Sequence, residues 1–138
     1  GGLISQRLTS ISGSSDYFER GLVVYSNRAK MELLDVPAEV LEKHGAVSAE
    51  TAHLMARMVR EKSGADLGLA STGLAGPTGA TETKPVGTVF LGLASKAGVG
   101  VKHFWFPGAR SQVNMLTSQT ALSWLYRYLT DDTFLFRH

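Results

Sequence analysis

Residues 66–106 read DLGLASTGLAGPTGATETKPVGTVFLGLASKAGVGVKHFWF, and this stretch decides the fold class. Three runs rich in β-branched and apolar residues, 66–72, 86–94 and 99–106, are separated by segments that contain Gly, Pro or both, so each run predicts a strand. The short Lys96-Ala97-Gly98 connection predicts a hairpin between the last two runs. The sheet therefore contains at least one antiparallel pair.

Helical patterns lie on both sides of this stretch. Helices are predicted over 3–11, 27–34, 37–44, 48–64 and 111–129, and the apolar run at 18–25 predicts a further, buried strand. We expect Asn27, Pro37 and Ser48 to begin the second, third and fourth helices. Strands and helices that alternate in this way predict an α/β fold, with a mixed sheet covered on both faces.

Composition limits the classes of protein to which the chain can belong. Its 138 residues suit one domain, and the 43% of hydrophobic residues suffice for a core. The absence of cysteine excludes disulfides, thiolate zinc sites and a cysteine nucleophile, and it suits a reducing compartment such as the cytoplasm. The 14 basic residues are scattered against 12 acidic ones, which argues against a nucleic-acid partner. We find neither an apolar run long enough to span a membrane nor a signal sequence.

The loop at 72–85 is the first candidate for a functional segment. It follows a predicted buried strand, where open α/β sheets tend to bind ligands. Gly73, Gly76 and Gly79 recur at every third position, so peptide N–H groups can approach a ligand closely. The loop matches neither the P-loop nor the dinucleotide-binding pattern. The alternative is a mobile surface connection.

A second candidate combines hydroxyl and amine groups on either side of the run at 18–25. A serine becomes a nucleophile when a base takes its proton, and a desolvated lysine can be that base. A tyrosine hydroxyl can relay a proton or donate to an oxyanion. The residues concerned are Ser14, Ser15, Tyr25, Asn27 and Lys30. The alternative reading is a serine turn, a helix cap and a solvated lysine.

Histidine and arginine side chains are the remaining candidates for binding a metal ion or an anion. The four histidines show no metal-ligand spacing, so the sequence predicts no metal site. Arg110 stands at the start of the last predicted helix, where its guanidinium and the peptide N–H groups could bind an anion together. The alternative is an exposed arginine with no ligand.

Several separate motifs resemble the C-terminal domain of CinA, the family of competence/damage-inducible proteins and stand-alone nicotinamide-nucleotide amidases. The resemblance extends from Gly1 to about Leu129. The matching stretches, in chain order, are Gly-Ser-Ser (13–15), Phe-Glu-Arg-Gly (18–21), Val-Tyr-Ser-Asn (24–27), Ala-Lys (29–30), His-Gly-Ala-Val-Ser (44–48), Thr-Gly-Leu-Ala-Gly-Pro (72–77) and Lys-Pro-Val-Gly-Thr-Val (84–89).

The resemblance implies a three-layer α/β/α sandwich and a cytoplasmic homodimer that is fused to or associated with a CinA N-terminal domain. It implies deamidation of nicotinamide mononucleotide to nicotinate mononucleotide and ammonia, without cofactor or metal. The implied catalytic residues are Ser15, Tyr25 and Lys30, although Ser14 could be the matching serine instead. The implied substrate-binding residues are Ser14, Asn27, Thr72, Gly73, Gly76 and Arg110.

The chain departs from the family pattern at both ends. Relatives usually begin this region with a helix, a strand and Glu-Ser-Cys-Thr-Gly-Gly, of which Gly1-Gly2 remains. We therefore expect a domain at 1–130 that lacks its first strand and motif, followed by a loose tail at 131–138. An alternative function follows from this departure, namely an inactive module for nucleotide binding or dimerisation.

Overall fold

The computed structural model of the chain describes residues 1–136. The predicted alternation of strands and helices is not found along these residues, because four α-helices precede three consecutive strands and a fifth α-helix follows them. The helices are α1 (Leu3–Thr9), α2 (Asn27–Leu34), α3 (Ala38–His44), α4 (Ala49–Ser63) and α5 (Arg110–Thr130), and the strands are β1 (Gly68–Gly73), β2 (Thr88–Ser95) and β3 (Gly98–Trp105). Short 3-10 turns at Ser14–Asp16 and Asp132–Leu135 complete the described part. None of the helices in this part combines the length and the apolar character needed to cross a membrane.

The three strands form one sheet in the order β1-β2-β3. Both strand pairs are antiparallel, with Leu93 of β2 placed between Leu69 of β1 and Gly100 of β3. The predicted hairpin is thereby confirmed. The predicted mixed sheet is not what residues 1–136 form, because the connection from β1 to β2 contains no crossover helix of the kind that brings strands parallel.

Two hydrophobic cores lie on opposite faces of this sheet, which confirms the three-layer α/β/α arrangement. One core joins the sheet to α2, α3 and α4 through Leu34, Leu41, Met55, Ala70 and Ala94. The other joins it to α5 and the chain end through Val89, Leu91, Leu93, Val113, Trp124 and Leu135. Alternate residues of β2 serve the two cores because successive side chains of a strand point to opposite faces.

Gly92 lets α4 lie close to the middle of β2. A Cβ atom at this position would stand 2.5 Å from the carbonyl oxygen of Ala52 and 3.0 Å from the Cβ of Ala56. Both alanines are fully buried. Any larger residue at position 92 would therefore push the helix away from the sheet.

The predicted strand at 18–25 is wrong for the described part of the chain. This segment pairs with no strand, and Leu22, Val23 and Tyr25 are 39%, 55% and 72% exposed. Val24 is buried. The residues of this segment favour β structure, but a strand also needs a neighbouring strand with which to form hydrogen bonds. β propensity does not show whether such a neighbour exists.

The predicted helix starts hold with one correction. Ser48 caps α4, since its Oγ accepts a 3.1 Å hydrogen bond from the Thr51 amide. For α2 the cap is Ser26 rather than Asn27, because the Oγ of Ser26 accepts from the Ala29 amide at 3.0 Å. Serine and asparagine can both cap a helix, so residue type alone did not distinguish Ser26 from Asn27, and the predicted cap was one residue too late.

The predicted loose tail is wrong up to residue 136. Leu135 is 1% exposed within the core beside α5. The indole N–H of Trp124 donates to the carbonyl of Phe134 at 2.9 Å. The tail therefore packs onto α5 and the sheet. The remainder of that prediction, at 137–138, lies outside the described residues.

Candidate active site

A cavity of about 1130 Å³ lies beside the edge of β1 that faces away from β2. No strand of the described residues pairs with that edge. The opposite walls are the extended segment at 17–25, the beginning of α1 and one face of α5. The volume is large enough for a nucleotide-sized ligand, since typical ligand pockets reach about 1,000 Å³.

Lys30 lies on the wall of this cavity and is only 7% exposed. Its Nζ donates to the carbonyl of Val24 at 2.8 Å. None of the ion pairs among residues 1–136 includes it. Burial lowers the pKa of the Lys30 ammonium from its ordinary value. The alternative of a solvated lysine is therefore excluded, and burial shifts the protonation equilibrium towards the neutral amine that a base requires.

The two candidate serines differ in position. Gly13 adopts a φ of +85° and starts the turn Ser14–Asp16. Ser15 is exposed and lines the cavity. Ser14 is buried and does not line it. Of the two hydroxyl groups, the structure thus presents that of Ser15 to a ligand in the cavity.

Tyr25 and Arg110 come from distant parts of the chain and meet at the cavity. The Nη2 of Arg110 donates to the Tyr25 hydroxyl, and its Nη1 donates to the carbonyl of Gly76 at 3.0 Å. Gly76 has a φ of +82°, and a Cβ atom there would lie 2.4 Å from Val86. A side chain at position 76 would be strained and would clash, so this loop position requires glycine.

The loop between β1 and β2 is fixed at both of its ends. The Thr72 hydroxyl, on β1, donates to the Ala46 carbonyl at 2.7 Å. The Nζ of Lys84 donates to the His44 carbonyl, also at 2.7 Å. Together with the bond from Arg110 to Gly76, these contacts tie the loop to α3 and α5. A loop held in this way is a shaped wall of the cavity rather than a loose surface connection.

Most of the residues that the sequence singled out meet at this cavity. Asn27 is exposed at the start of α2 and, like Ser14, does not line it. The predicted residues that do line it are Ser15, Tyr25, Lys30, Thr72, Gly73, Gly76 and Arg110. Their roles stay predictions, because position alone assigns no role.

Sequence reasoning missed Asn114 as a cavity residue. It lies on α5 one helical turn after Arg110, is exposed and lines the same cavity. Its amide offers both donors and an acceptor. The i, i+4 spacing from Arg110 was the available signal, because residues four apart share one face of a helix.

Within the described residues, no group of three or more His, Asp or Glu side chains is close enough to hold a metal ion. Many of the lining side chains are apolar, and the polar ones among them include hydroxyl, amine, amide, guanidinium and carboxylate groups. This donor set suits hydrogen bonding and proton transfer with an anionic or amide-bearing ligand.

The fold and the cavity define an α/β/α domain with a buried lysine on the wall of a cavity beside β1. The family model of the CinA C-terminal domain matches residues 1–129, and the chain belongs to this family. It is 60% identical to a CinA-like protein of Geotalea daltonii over 129 residues, which are 94% of this chain and 31% of that protein. The resemblance read from the sequence is thus confirmed.

Solved structures agree with this assignment. The competence damage-inducible protein A (ComA) of Klebsiella pneumoniae is 30% identical and superimposes with a TM-score of 0.91, covering 95% of this chain and 81% of that one. The competence/damage inducible protein CihA of Agrobacterium tumefaciens is 41% identical, with a TM-score of 0.85 over 91% of this chain and 78% of that one. The chain spans about a third of the length of the curated relatives that it matches.

Proposed function

We propose that this domain is an amidohydrolase that converts nicotinamide mononucleotide and water to nicotinate mononucleotide and ammonia. Lys30 carries the proposal. Lys30 is 7% exposed on the wall of a cavity, and burial lowers its pKa in the direction that a general base requires. The proposed substrate is the one that the family resemblance implies. The protein is expected to act in the cytoplasm.

Ser15 would be the nucleophile. Neutral Lys30 would take the Ser15 hydroxyl proton while the Oγ bonds to the amide carbon. The resulting tetrahedral intermediate would collapse with cleavage of the C–N bond, and the proton on Lys30 would pass to the leaving nitrogen as ammonia departs. Water, deprotonated by Lys30, would then cleave the acyl ester, release the carboxylate product and restore the serine.

Tyr25 and the glycine-containing loop would stabilise the negative charge that develops on the amide oxygen. Ala75 and Gly76 line the cavity, and their peptide N–H groups are of the kind that forms oxyanion holes. Arg110 retains N–H groups beyond the two that bind Tyr25 and Gly76, so it could also contact the substrate phosphate. Asn114, beside it, could bind the ribose or the carboxamide.

The test is an ammonia-release assay on the full-length protein with nicotinamide mononucleotide, with Ser15→Ala, Lys30→Met and a matched Ser14→Ala control. We expect Ser15→Ala and Lys30→Met to lose roughly 1,000-fold or more in kcat/KM, because each removes a partner of the covalent step. Ser14→Ala should keep most of the activity, since Ser14 does not line the cavity.

Calorimetry on the same samples separates the alternative function. Binding of the nucleotide without ammonia release would refute the amidase and support an inactive binding module. Full activity of Lys30→Met would refute the serine–lysine chemistry. The homodimer and the association with a CinA N-terminal domain stay predictions, for which sedimentation of the full-length protein is the direct measurement.

A further inference from the structure

Arg110 connects three segments that are far apart in the sequence. It stands at the first position of α5, and its two terminal nitrogens reach the loop at Gly76 and the extended segment at Tyr25. All three residues line the cavity. Because a guanidinium is planar, anchoring Nη1 on the Gly76 carbonyl fixes the direction in which Nη2 points.

The direction of the hydrogen bond at Tyr25 has a chemical consequence. A guanidinium carries no acceptor, so the Tyr25 oxygen accepts and the phenolic proton is not used in this contact. The Tyr25 hydroxyl donates no hydrogen bond to another described residue. Its O–H is therefore available to an acceptor bound in the cavity.

Tyr25 has little else to hold it in place. Its residue is 72% exposed, and its ring stacks on no other ring within residues 1–136. An exposed tyrosine normally samples several side-chain orientations. The contact with Arg110 is thus the interaction that selects one orientation of the phenol.

We propose that Arg110 is a positioning residue that holds Tyr25 with its O–H directed into the cavity, in addition to any contact with a phosphate. This inference rests on the proposed function where it names the acceptor, which is the oxygen of the reacting amide. The connection between Arg110 and Tyr25 itself can be measured without turnover.

The kinetic test uses the full-length protein with Arg110→Lys, Tyr25→Phe and the double variant. Each is assayed with nicotinamide mononucleotide and with the corresponding riboside, which has the same carboxamide and no phosphate. We expect Tyr25→Phe to lower kcat by roughly 100-fold, as the loss of one oxyanion donor does. Arg110→Lys should lower kcat at least about tenfold on both substrates, and the double variant should be no worse than Tyr25→Phe, because coupled residues are not additive.

A phosphate-binding role alone gives a different pattern. Arg110→Lys would then raise KM for the nucleotide, leave kcat unchanged, and have no effect with the riboside. Independent, multiplied losses in the double variant would also overturn the positioning role. Lysine keeps the charge but lacks the two-pronged donor geometry, so the substitution tests geometry rather than charge.

A spectroscopic test separates this inference from the proposed function. The full-length protein is labelled with 3-fluorotyrosine, and the Tyr25 resonance is assigned by its loss in Tyr25→Phe. We expect Arg110→Lys and Arg110→Gln to shift that resonance, whereas Arg57→Lys on the exposed face of α4 should not. A shift in a protein without amidase activity would support the positioning contact and refute the amidase. An unchanged resonance in both Arg110 variants would refute the contact.

Discussion

Lys30 is the residue on which the chemistry of this domain depends most. An ammonium group loses much of its hydration when the side chain is buried, and Lys30 has no acidic partner among the described ion pairs to offset this cost. The carbonyl of Val24 is its hydrogen-bond acceptor. The fold therefore keeps a destabilising group at the cavity, as is common where function requires a shifted pKa.

The lowered pKa of Lys30 makes the cost of its burial depend on pH. At pH values below the folded-state pKa, Lys30 is protonated in both the folded and the unfolded protein, and folding bears the full cost of burying the ammonium group. Between that pKa and the unfolded value near 10.5, the unfolded chain binds more protons, so stability rises with pH. We expect the difference in unfolding free energy between Lys30→Met and the wild type to move in favour of the wild type as the pH rises towards 10.

Urea unfolding of the wild type and variant at several pH values between 6.5 and 10 measures this difference. Lys96→Met, at the exposed β2–β3 turn, is the matched control for the loss of a lysine side chain that is not buried. A Lys30→Met difference that stays constant across the range would contradict a lowered pKa in the folded state.

At the scale of elements, the contact between β2 and α4 positions the α2–α4 layer on the sheet. The helix also lies close to β1, where a Cβ at Gly68 would stand 2.3 Å from the carbonyl of Ala56. Small residues on both sides thus allow the helix axis to approach the sheet. This approach fixes the height of α4 above the sheet and, with it, the packing of α2 that carries Lys30.

Gly92→Ala is expected to lower the unfolding free energy by about 1–3 kcal/mol, the usual cost of overpacking. The nearest atom to the new methyl group would be the backbone oxygen of Ala52, which trimming a side chain cannot remove. The double variant Gly92→Ala/Ala56→Gly should consequently remain destabilised. Recovery of stability in the double variant would show that the Ala56 methyl group, not the helix backbone, limits the approach. Chemical denaturation is the measurement.

The sequence predicted those elements whose signals are local. Ser48 and Gly64 mark the ends of α4 by their own chemistry, and the run of apolar and β-branched residues identifies β2 as a strand. The prediction of a strand at 18–25 was wrong because strand formation depends on a neighbouring strand elsewhere in the chain. The tail failed because the burial of Leu135 depends on a groove formed by α5 and β3.

The candidate site was predictable in part for the same reason. Ser15, Tyr25 and Lys30 are close in sequence, so their location on one cavity could be expected, and the family resemblance named them. The contact from Arg110 to Tyr25 spans 85 residues. No local pattern reports such a contact. Asn114 was missed because an asparagine within a helix carries no motif of its own.

At the scale of the whole molecule, the 3-10 turn at Asp132–Leu135 closes the core on the α5 side of the sheet. Leu135 belongs to this core. Its backbone lies close to β3, since a Cβ atom at Gly100 would stand 2.1 Å from the carbonyl oxygen of Leu135. The ammonium of Lys102 stands 4.9 Å from the centre of the Trp124 ring on the same side. Leu135 is thus part of the domain's hydrophobic core, although it follows the last helix.

Leu135→Ala is expected to destabilise the fold by about 2–5 kcal/mol, because it removes a buried side chain and leaves a cavity. Phe136→Ala is the matched control, since Phe136 is 64% exposed and its loss should change stability by no more than about 0.5 kcal/mol. Thermal unfolding of both variants decides the point. Equal effects of the two substitutions would mean that the tail is held by something other than the burial of Leu135.

The origin of the cavity lining has a consequence for how ligand preference could evolve in this domain. The lining residues come from segments that are far apart in the sequence, and Ser15, Thr72, Arg110 and Asn114 are among them. A substitution at one of these positions alters one part of the lining and leaves the other segments in place. Changes in preference can therefore accumulate one residue at a time.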